Sequence, residues 1–149
     1  MPLKINISDS SGKTYKIEAE TEEFFGKELH DKISGKDISA DLEDYEFEIA
    51  GASDKAGITH HEKVPGIALK RILLTYGKAM HKRPRREGKK KISNPRPKGL
   101  RLRKTVRGKV LSPDTVQINL KIIKQGKKTL SEIFPDQNQP KPKVKEEKK

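Results

Sequence analysis

The sequence contains no cysteine and no tryptophan, and only 5% of its 149 residues are aromatic. Without cysteine the chain can form no disulfide, no thiolate metal site and no cysteine nucleophile, which is typical of a protein in a reducing compartment. No apolar run approaches the roughly 20 residues that a membrane-spanning helix needs, and the N-terminal MPLKINISDS lacks the regions of a signal peptide. We therefore expect a protein of the cytosol.

Hydrophobic residues are also scarce, at 31% of the chain, whereas 37% is charged and the formal net charge is +13. This charge is unevenly divided along the chain. Residues 1–50 carry 6 basic and 13 acidic side chains, and residues 51–149 carry 28 basic and 8 acidic ones. Because the second part would repel itself in a compact free state, it predicts either an expanded conformation or a polyanionic partner.

Alternating apolar residues predict several strands. LKINIS and TYKIEAE, joined by the turn DSSGK, are typical of a hairpin over residues 3–20, and YEFEIAG at 45–51 predicts a third strand. IALKRILLTY at 67–76 fits a buried strand or a short helix, and its flanking glycines favour the strand. TEEFFGKELHDKI at 21–33 predicts one or two helical turns, with Thr21 as the N-cap.

The late segment KTVRGKVLSPDTVQINLKIIKQG carries the clearest β pattern. Residues 106–111 and 115–125 flank the turn SPD and are predicted to pair with each other. The second of these strands alternates apolar and polar residues, as a half-buried sheet requires. Four apolar side chains share one of its faces: Val116, Ile118, Leu120 and Ile122.

Five or six short strands with one or two short helices predict a mainly β fold, either a small β-barrel or an orthogonal sandwich. KINI at 4–7 and QINL at 117–120 hint at a duplicated hairpin, a signal to which we give little weight. LSEIF at 130–134 predicts a helical turn, and the residues after it carry too little apolar surface to offset the entropy of ordering. We therefore predict a β-barrel domain over residues 1–130 and a flexible, disordered Lys/Pro-rich tail over 131–149.

The stretch HKRPRREGKKKISNPRPKGLRLRKTVRG, residues 81–108, contains thirteen Lys or Arg residues against one acid. Most of this stretch lies between predicted strands. It therefore predicts a long basic loop, over residues 77–104, that is inserted in the fold. Its prolines keep the backbone extended, and its glycines let the chain turn. In GLRLRKTVRG, Leu100 and Leu102 alternate with arginines, which predicts a strand with apolar side chains inward and guanidinium groups outward.

Seven of the thirteen cations are arginine, whose planar guanidinium holds two phosphate oxygens or stacks on a base. This favours a folded nucleic acid over a lipid surface, which would select an amphipathic helix. The stretch has no aromatic residue for base stacking, so phosphate and shape contacts remain. Two alternatives stay open: a disordered, nonspecific polycation, and a DNA-binding chromatin-like architectural protein, which usually carries apolar wedges on an arm or ribbon.

Three weaker patterns would suggest an enzyme or a metal site. SSGKT at 10–14 resembles the end of a phosphate-binding loop, but that motif needs glycine where this chain has Ile7, and a hairpin turn fits better. HHE at 60–62 has no third ligand patterned nearby, so solvated loop histidines are the better interpretation. Nothing in spacing or context supports an acid and base pair of Asp54 and Glu62. We assign no catalytic residue, metal ligand or cofactor, and expect no small-molecule substrate.

Three segments carry a resemblance to a known family: GASDKAG at 51–57, RILLTYGKAMHKRPRREG at 71–88 and, most specifically, LRLRKTVRGKVLSPDTVQINLKI at 100–122. On these segments the chain resembles the archaeal and eukaryotic small-subunit ribosomal protein six family, which is unrelated to the bacterial protein of the same number. The resemblance runs from about Leu3 to Leu130. It implies a small β-barrel held on small-subunit ribosomal RNA in the cytoplasm, next to other ribosomal proteins.

The resemblance also implies which residues contact RNA in the assembled subunit. Ten positions follow from it: Lys70, Arg71, Lys82, Arg83, Arg85, Arg86, Arg101, Arg103, Lys104 and Arg107. The other cations of the basic stretch, and one lysine just before it, complete the candidate set: Lys78, Lys89, Lys90, Lys91, Arg96 and Lys98.

The chain departs from the family in two places. After DKAG the family usually has Phe-Pro-Met and a basic residue, whereas this chain has ITHHEK at 58–63, so the contacts of that loop do not carry over. Eukaryotic members end in a long helix with phosphorylated serines, whereas the last serine here is Ser131. We therefore carry over no phosphoregulation, and the short chain resembles the archaeal form.

Overall fold

The computed structural model describes residues 2–19, 22–80 and 99–138 in full and, for the backbone alone, 85–87 and 90–92. In this part of the chain it places nine strands, two 3₁₀ turns and one short α-helix. In chain order they are β1 (Leu3–Ser8), β2 (Thr14–Ala19), β3 (Lys32–Ser34), the 3₁₀ turns Gly35–Asp37 and Ala40–Leu42, β4 (Glu46–Asp54), β5 (Leu69–Thr75), β6 (Arg85–Glu87), β7 (Lys90–Ile92), β8 (Arg101–Arg107), β9 (Thr115–Lys124) and α1 (Leu130–Ile133). The prediction of a mainly β chain with short helical pieces is confirmed.

One five-stranded sheet forms the body of the protein, in the order β2-β1-β9-β4-β3. β1 and β2 form the predicted antiparallel hairpin, and SSGKT lies in its turn, with Gly12 in the left-handed region at φ 84°. β9 lies between β1 and β4, parallel to the first and antiparallel to the second. KINI and QINL lie side by side in this parallel pair, with Ile5 opposite Ile118 and Ile7 opposite Leu120. The two similar segments therefore share the centre of the sheet.

The inner face of this sheet carries the main hydrophobic core. Full burial of one Val, Leu, Ile, Phe or Met side chain contributes about 1.5–3 kcal/mol, so this core is the largest source of the protein's stability. The predicted apolar face of β9 is fully buried at Ile118 and Leu120 and half-buried at Val116 and Ile122. The other large side chains that are almost fully buried in the same core are Ile5, Ile7, Tyr15, Phe24, Leu42, Phe47, Ile49 and Leu111.

The strands do not close into the predicted barrel in the part of the chain that the structure describes. β5 and β8 pair with each other as a separate two-stranded ribbon. Single bridges, from Ser53 to Thr59 and from His60 to Arg107, join this ribbon to β4. A single bridge makes far fewer backbone hydrogen bonds than a ladder, so the sheet stays open between β4 and β8. The prediction of a strand at 67–76 is confirmed by β5, although most of β5 is exposed rather than buried.

The predicted pairing of residues 106–111 with 115–125 is wrong. The intervening SPD does form a turn, but β8 ends before it and β9 pairs with β1 and β4 instead. After β8 the chain crosses a preceding loop at Gly108. A Cβ at Gly108 would lie 1.8 Å from the carbonyl oxygen of Gly66, so only glycine allows the two backbones to approach this closely.

The helical turns predicted over residues 21–33 are also absent from the described part of that range. Its backbone bonds to a distant segment: the Leu29 N–H donates to the Lys109 carbonyl at 3.0 Å, and the Lys27 carbonyl accepts the Leu111 N–H at 2.9 Å. A helix would need the same groups for bonds within the segment. Tertiary pairing therefore outweighs the local helical pattern.

Part of the predicted basic loop is a short hairpin, because β6 and β7 pair antiparallel within the connection between β5 and β8. The remaining residues of 81–98, the side chains of that whole range, Thr21 and residues 139–149 lie outside the described residues. The helical turn predicted at LSEIF is confirmed by α1. Gln137 and Asn138, near the start of the predicted flexible tail, form hydrogen bonds with β2. The division into domains at residue 130 stays a prediction.

Candidate nucleic-acid interface

β5 and β8 form the antiparallel ribbon that carries the candidate site, here called the basic ribbon. Its strands stay in register over seven residue pairs, from Leu69 opposite Arg107 to Thr75 opposite Arg101. Side chains alternate between the two faces of a strand, and paired residues share a face. One face, here called the outer face, therefore carries Leu69, Arg71, Leu73 and Thr75 of β5 and Arg101, Arg103, Thr105 and Arg107 of β8, and all of these residues except Arg107 are exposed.

The inner face of the basic ribbon packs on a small apolar cluster of its own. Leu74 of β5 and Val106 of β8 are buried there against Val64 and Met80. Turning the ribbon over would expose these side chains and bury arginines, which costs far more than the packing supplies. The cluster therefore fixes which face of the ribbon points outward.

On the outer face, three arginine side chains have no partner among the described residues. Arg71, Arg101 and Arg103 are exposed, and the side chain of none of them makes a hydrogen bond or ion pair with another described residue. Arg101 and Arg103 lie two residues apart on β8, about 7 Å along the strand, and Arg71 lies across the ribbon on β5. Their positive charge is free to meet phosphate oxygens.

Three predicted lysines lie near these arginines but not beside them. Lys70 and Lys104 belong to the inner face, where Lys70 is exposed and Lys104 is half-buried. Lys78 is exposed in the turn that follows β5. The structure thus groups Arg71, Arg101 and Arg103 on one face and places the lysines around its border.

Two leucines of the basic ribbon are more exposed than the sequence predicts. Leu102, expected to point inward, is 46% exposed, and Leu73, opposite Arg103 on the outer face, is 54% exposed. Leu100 is half-buried against the small cluster. The reason is that a two-stranded ribbon has no second layer to cover both of its faces.

Arg107 differs from the other arginines of β8 because its guanidinium binds two carboxylates and a hydroxyl of the protein itself. Its Nε donates to Asp54 Oδ2 at 3.1 Å, and its Nη1 donates to Asp114 Oδ2 at 3.3 Å and to Ser112 Oγ at 3.4 Å. Only 11% of its side chain is exposed. Whereas the resemblance implies contact with RNA, the structure shows Arg107 tying the end of β8 to the end of β4 and to the turn before β9.

Asp54 is the buried partner in this ion pair, with 2% of its side chain exposed. Its Oδ1 accepts the N–H groups of Ala56 at 2.9 Å and Ile58 at 2.8 Å. Asp54 is not paired with Glu62, whose carboxylate lies 3.3 Å from His30 Nε2. The turn SDKAG, in which an aspartate bonds to the backbone that follows it, is the sequence signal that points to this role.

Asp114 completes the ion-pair network on its exposed side. The hydrogen bond from Lys55, at 3.1 Å, holds the pKa of the Asp114 carboxyl below its usual value, and the nearby charge of Arg107 acts in the same direction. Asp114 therefore stays ionised at neutral pH and remains a partner for Arg107.

His60 lies at the junction between the basic ribbon and the main sheet. Its Nδ1 is 2.6 Å from the Gly108 carbonyl oxygen and its Nε2 is 3.2 Å from Thr115 Oγ1. A neutral ring that donates at Nδ1 and accepts at Nε2 satisfies both partners. His60 is 6% exposed and His61 is 7% exposed, so the prediction of solvated loop histidines is wrong.

Acid is expected to destabilise the protein through His60. Burial lowers the pKa of His60 in the folded state below its ordinary value of 6.5, and the charge of Arg107 acts in the same direction. The unfolded chain therefore binds a proton more readily than the folded chain. The contribution of His60 to the free energy of unfolding is complete above pH 6.5 and is lost as the pH falls through the lower folded-state pKa.

Urea unfolding of the wild-type protein and of His60→Gln at a series of pH values between about 8 and 5 measures this contribution. The wild-type protein should lose more stability on acidification than the variant, because the variant has no imidazole to protonate. Equal losses in the two proteins would show that His60 has no part in the pH dependence.

Nine predicted contacts have side chains outside the described residues and stay predictions: Lys82, Arg83, Arg85, Arg86, Lys89, Lys90, Lys91, Arg96 and Lys98. Along the chain they all lie between β5 and β8, the two strands of the basic ribbon. Residues 2–19, 22–80 and 99–138 contain no group of three or more His, Asp or Glu side chains that could hold a metal ion. Within the same ranges no helix has the length and apolar character needed to cross a bilayer.

Comparison with known proteins finds one family and several relatives. The family model described as ribosomal protein S6e matches residues 3–135 of the chain. A small ribosomal subunit protein eS6 of Archaeoglobus fulgidus is 37% identical over 138 residues, which cover 90% of this chain and 96% of the relative. Proteins of the same name from Methanococcus maripaludis and Methanocaldococcus jannaschii are 35% and 33% identical, covering 85% and 88% of this chain and 90% and 89% of the relatives. The family match takes in every strand from β1 to β9.

Proposed function

The chain belongs to the ribosomal protein S6e family, and on that premise we propose that it is a structural constituent of the small ribosomal subunit. Its relatives are named small ribosomal subunit proteins and match over almost their full length. We propose further that it binds small-subunit ribosomal RNA through phosphate and shape contacts. Its place of action is then the cytoplasm, bound to the subunit and next to other ribosomal proteins.

The observation that carries the RNA-binding proposal is the outer face of the basic ribbon. Arg71, Arg101 and Arg103 are exposed there with no carboxylate or other partner among the described residues. Cations of this kind that contact phosphates release the counterions condensed on a nucleic acid, which favours binding. The guanidinium fork also suits phosphate oxygens better than an ammonium group does.

Among the described residues, we propose fewer RNA contacts than the sequence predicts, because Arg107 is left out. Arg71, Arg101 and Arg103 are the primary phosphate contacts, and Lys70, Lys78 and Lys104 border them. Arg107 is assigned a structural role, because its guanidinium already meets two carboxylates. The cations between β5 and β8 in the sequence are proposed to contact RNA as well.

Neither rival function is favoured by the relatives. A ribosomal structural protein does not belong to a class of enzymes, and we propose no catalytic activity for this chain. The DNA-binding architectural alternative has no support among the relatives, all of which carry the name of a small ribosomal subunit protein.

Sedimentation of cell lysate through sucrose gradients at low and high salt tests the proposal. The tagged full-length chain is expected to migrate with small subunits at low salt and to be released when high salt screens its phosphate contacts. Nuclease that digests RNA should release it at low salt as well. A chain found in the soluble fraction at every salt concentration, or one that migrates with DNA, would contradict the proposal.

A further inference from the structure

β2 is an edge strand of the main sheet, because it pairs with β1 on one side and with no strand of the described residues on the other. An edge strand presents unpaired backbone N–H and C=O groups that can accept a strand from another chain. Proteins therefore shorten, charge or cover such edges. β3, at the opposite edge of the sheet, is only three residues long, whereas β2 has six.

The free edge of β2 is covered by side-chain amides of the residues that follow α1. Gln137 Oε1 accepts the Lys16 N–H at 2.7 Å, and Gln137 Nε2 donates to the Lys16 carbonyl at 2.8 Å. Asn138 Nδ2 donates to the Thr14 carbonyl at 2.9 Å. A carboxamide has the same donor and acceptor as a peptide group, so Gln137 occupies the place that a residue of a neighbouring strand would take.

The covering residues, 135–138, are here called the edge cap. It is held next to β2 from the α1 side, where the ring of Phe134 lies 6.0 Å from that of Tyr15 and Ser131 Oγ lies 2.9 Å from the Tyr15 hydroxyl. Asn138 lies in the left-handed region at φ 61°, which asparagine tolerates better than most residues. The cap is thus anchored in the core and, among the described residues, covers the edge with the side chains of Gln137 and Asn138.

Without this cover, β2 of one copy of the chain could pair with β2 of a second copy. The outward backbone groups of β2 belong to alternate residues, which include Thr14, Lys16 and Glu18. If two copies of β2 met antiparallel about a twofold axis at Ile17, Lys16 of one copy would form a hydrogen-bonded pair with Glu18 of the other. The two side chains would then lie opposite each other on one face with opposite charges, which is favourable.

We propose that the edge cap keeps the free protein monomeric by blocking the pairing of β2 with β2 of a second copy of the chain. The proposal rests on the geometry of the main sheet and not on RNA binding, since β2 and the basic ribbon share no strand ladder.

The test removes the cap without disturbing the core. In Q137A/N138G both carboxamides are lost, and glycine accepts the φ of Asn138 without strain. Three hydrogen bonds no longer compete with a second strand, so the association constant for dimers is expected to rise about ten- to hundredfold over that of the wild-type protein. Analytical ultracentrifugation over a concentration series should detect a species of about twice the 16.9 kDa of one chain.

Hydrogen exchange of the Lys16 amide shows whether the edge has been freed in the monomer. In dilute wild-type protein this amide should exchange slowly, because Gln137 accepts its proton, and in dilute Q137A/N138G it should exchange at least tenfold faster. An amide that remains equally protected in the variant overturns the proposal, because Gln137 would then not be what covers the edge.

Charge changes within β2 decide whether any dimer uses the proposed pairing. Adding K16E to Q137A/N138G puts Glu at position 16 of one copy opposite Glu18 of the other and should return the protein to a monomer. Adding both K16E and E18K to Q137A/N138G puts opposite charges in contact again and should restore the dimer. A freed edge that stays monomeric at every concentration overturns the proposal. So does a dimer that is indifferent to these charges, because it would have formed through another surface.

Discussion

The variant R71A/R101A/R103A is expected to bind small-subunit ribosomal RNA about 100-fold more weakly than the wild-type protein at roughly 0.1 M salt. Each arginine that meets a phosphate releases about 0.7 to 0.9 of a counterion, so three lost contacts cost about two powers of ten at this salt concentration. The loss should apply to RNA of different sequences alike, because phosphate contacts carry no sequence information. Filter binding or fluorescence anisotropy at matched ionic strength measures it.

A variant with the same change of charge elsewhere provides the control. Lys124, Lys127 and Lys128 are exposed at or just after the end of β9. The basic ribbon is attached near the other end of this ten-residue strand, so the three lysines lie far from it. K124A/K127A/K128A should lose much less affinity, since only the long-range effect of net charge is removed. Equal losses in the two triple variants would mean that total charge, and not the outer face of the basic ribbon, determines binding.

Arg107→Ala is expected to affect stability instead, lowering the free energy of unfolding by about 3 kcal/mol. The substitution leaves the Asp54 carboxylate, 2% exposed, without its cationic partner, and an uncompensated buried charge typically costs 3 to 5 kcal/mol. Only the lower part of that range is expected, because Asp54 keeps two backbone N–H donors. Urea unfolding of the free protein measures the change.

Arg101→Ala is the matched control, because it removes the same side chain from the same strand at an exposed position. Its stability should stay within about 0.5 kcal/mol of the wild-type value. The double variant D54A/R107A should be more stable than the sum of the two single changes predicts, since no unpaired charge is left in the interior. A cost below about 0.5 kcal/mol for Arg107→Ala would show that the pair has no structural importance and would return Arg107 to the list of RNA contacts.

Local patterns were sufficient to predict most strands of this fold. The period-two alternation in β1, β2, β4 and β9 reflects burial of one face of the sheet, and it predicts each strand within a few residues. The pairing of strands was less predictable. The Leu29 N–H bonds to the Lys109 carbonyl, 80 residues along the chain, and no local signal in either segment identifies the other.

Contacts between segments that are distant in sequence also explain why the candidate site was predicted only in part. Alternation with Leu100 and Leu102 predicts that Arg101 and Arg103 point outward, and the resemblance adds Arg107 to the RNA contacts. Arg107 differs only because the fold brings Asp54 and Asp114 to it, and these carboxylates come from two other segments. The exposure of Arg101 and Arg103 could be predicted from alternation, but the ion pairs of Arg107 could not.

Photo-cross-linking within assembled small subunits tests most directly the claim that the outer face of the basic ribbon lies against ribosomal RNA. A photoactivatable amino acid is placed at Leu73, which is exposed beside Arg103, and in a second protein at Asp41, which is exposed in the acidic N-terminal part. After purification of the subunits and irradiation, position 73 is expected to cross-link to RNA and position 41 is not. Cross-links to RNA from position 41 but not from position 73 would contradict the account.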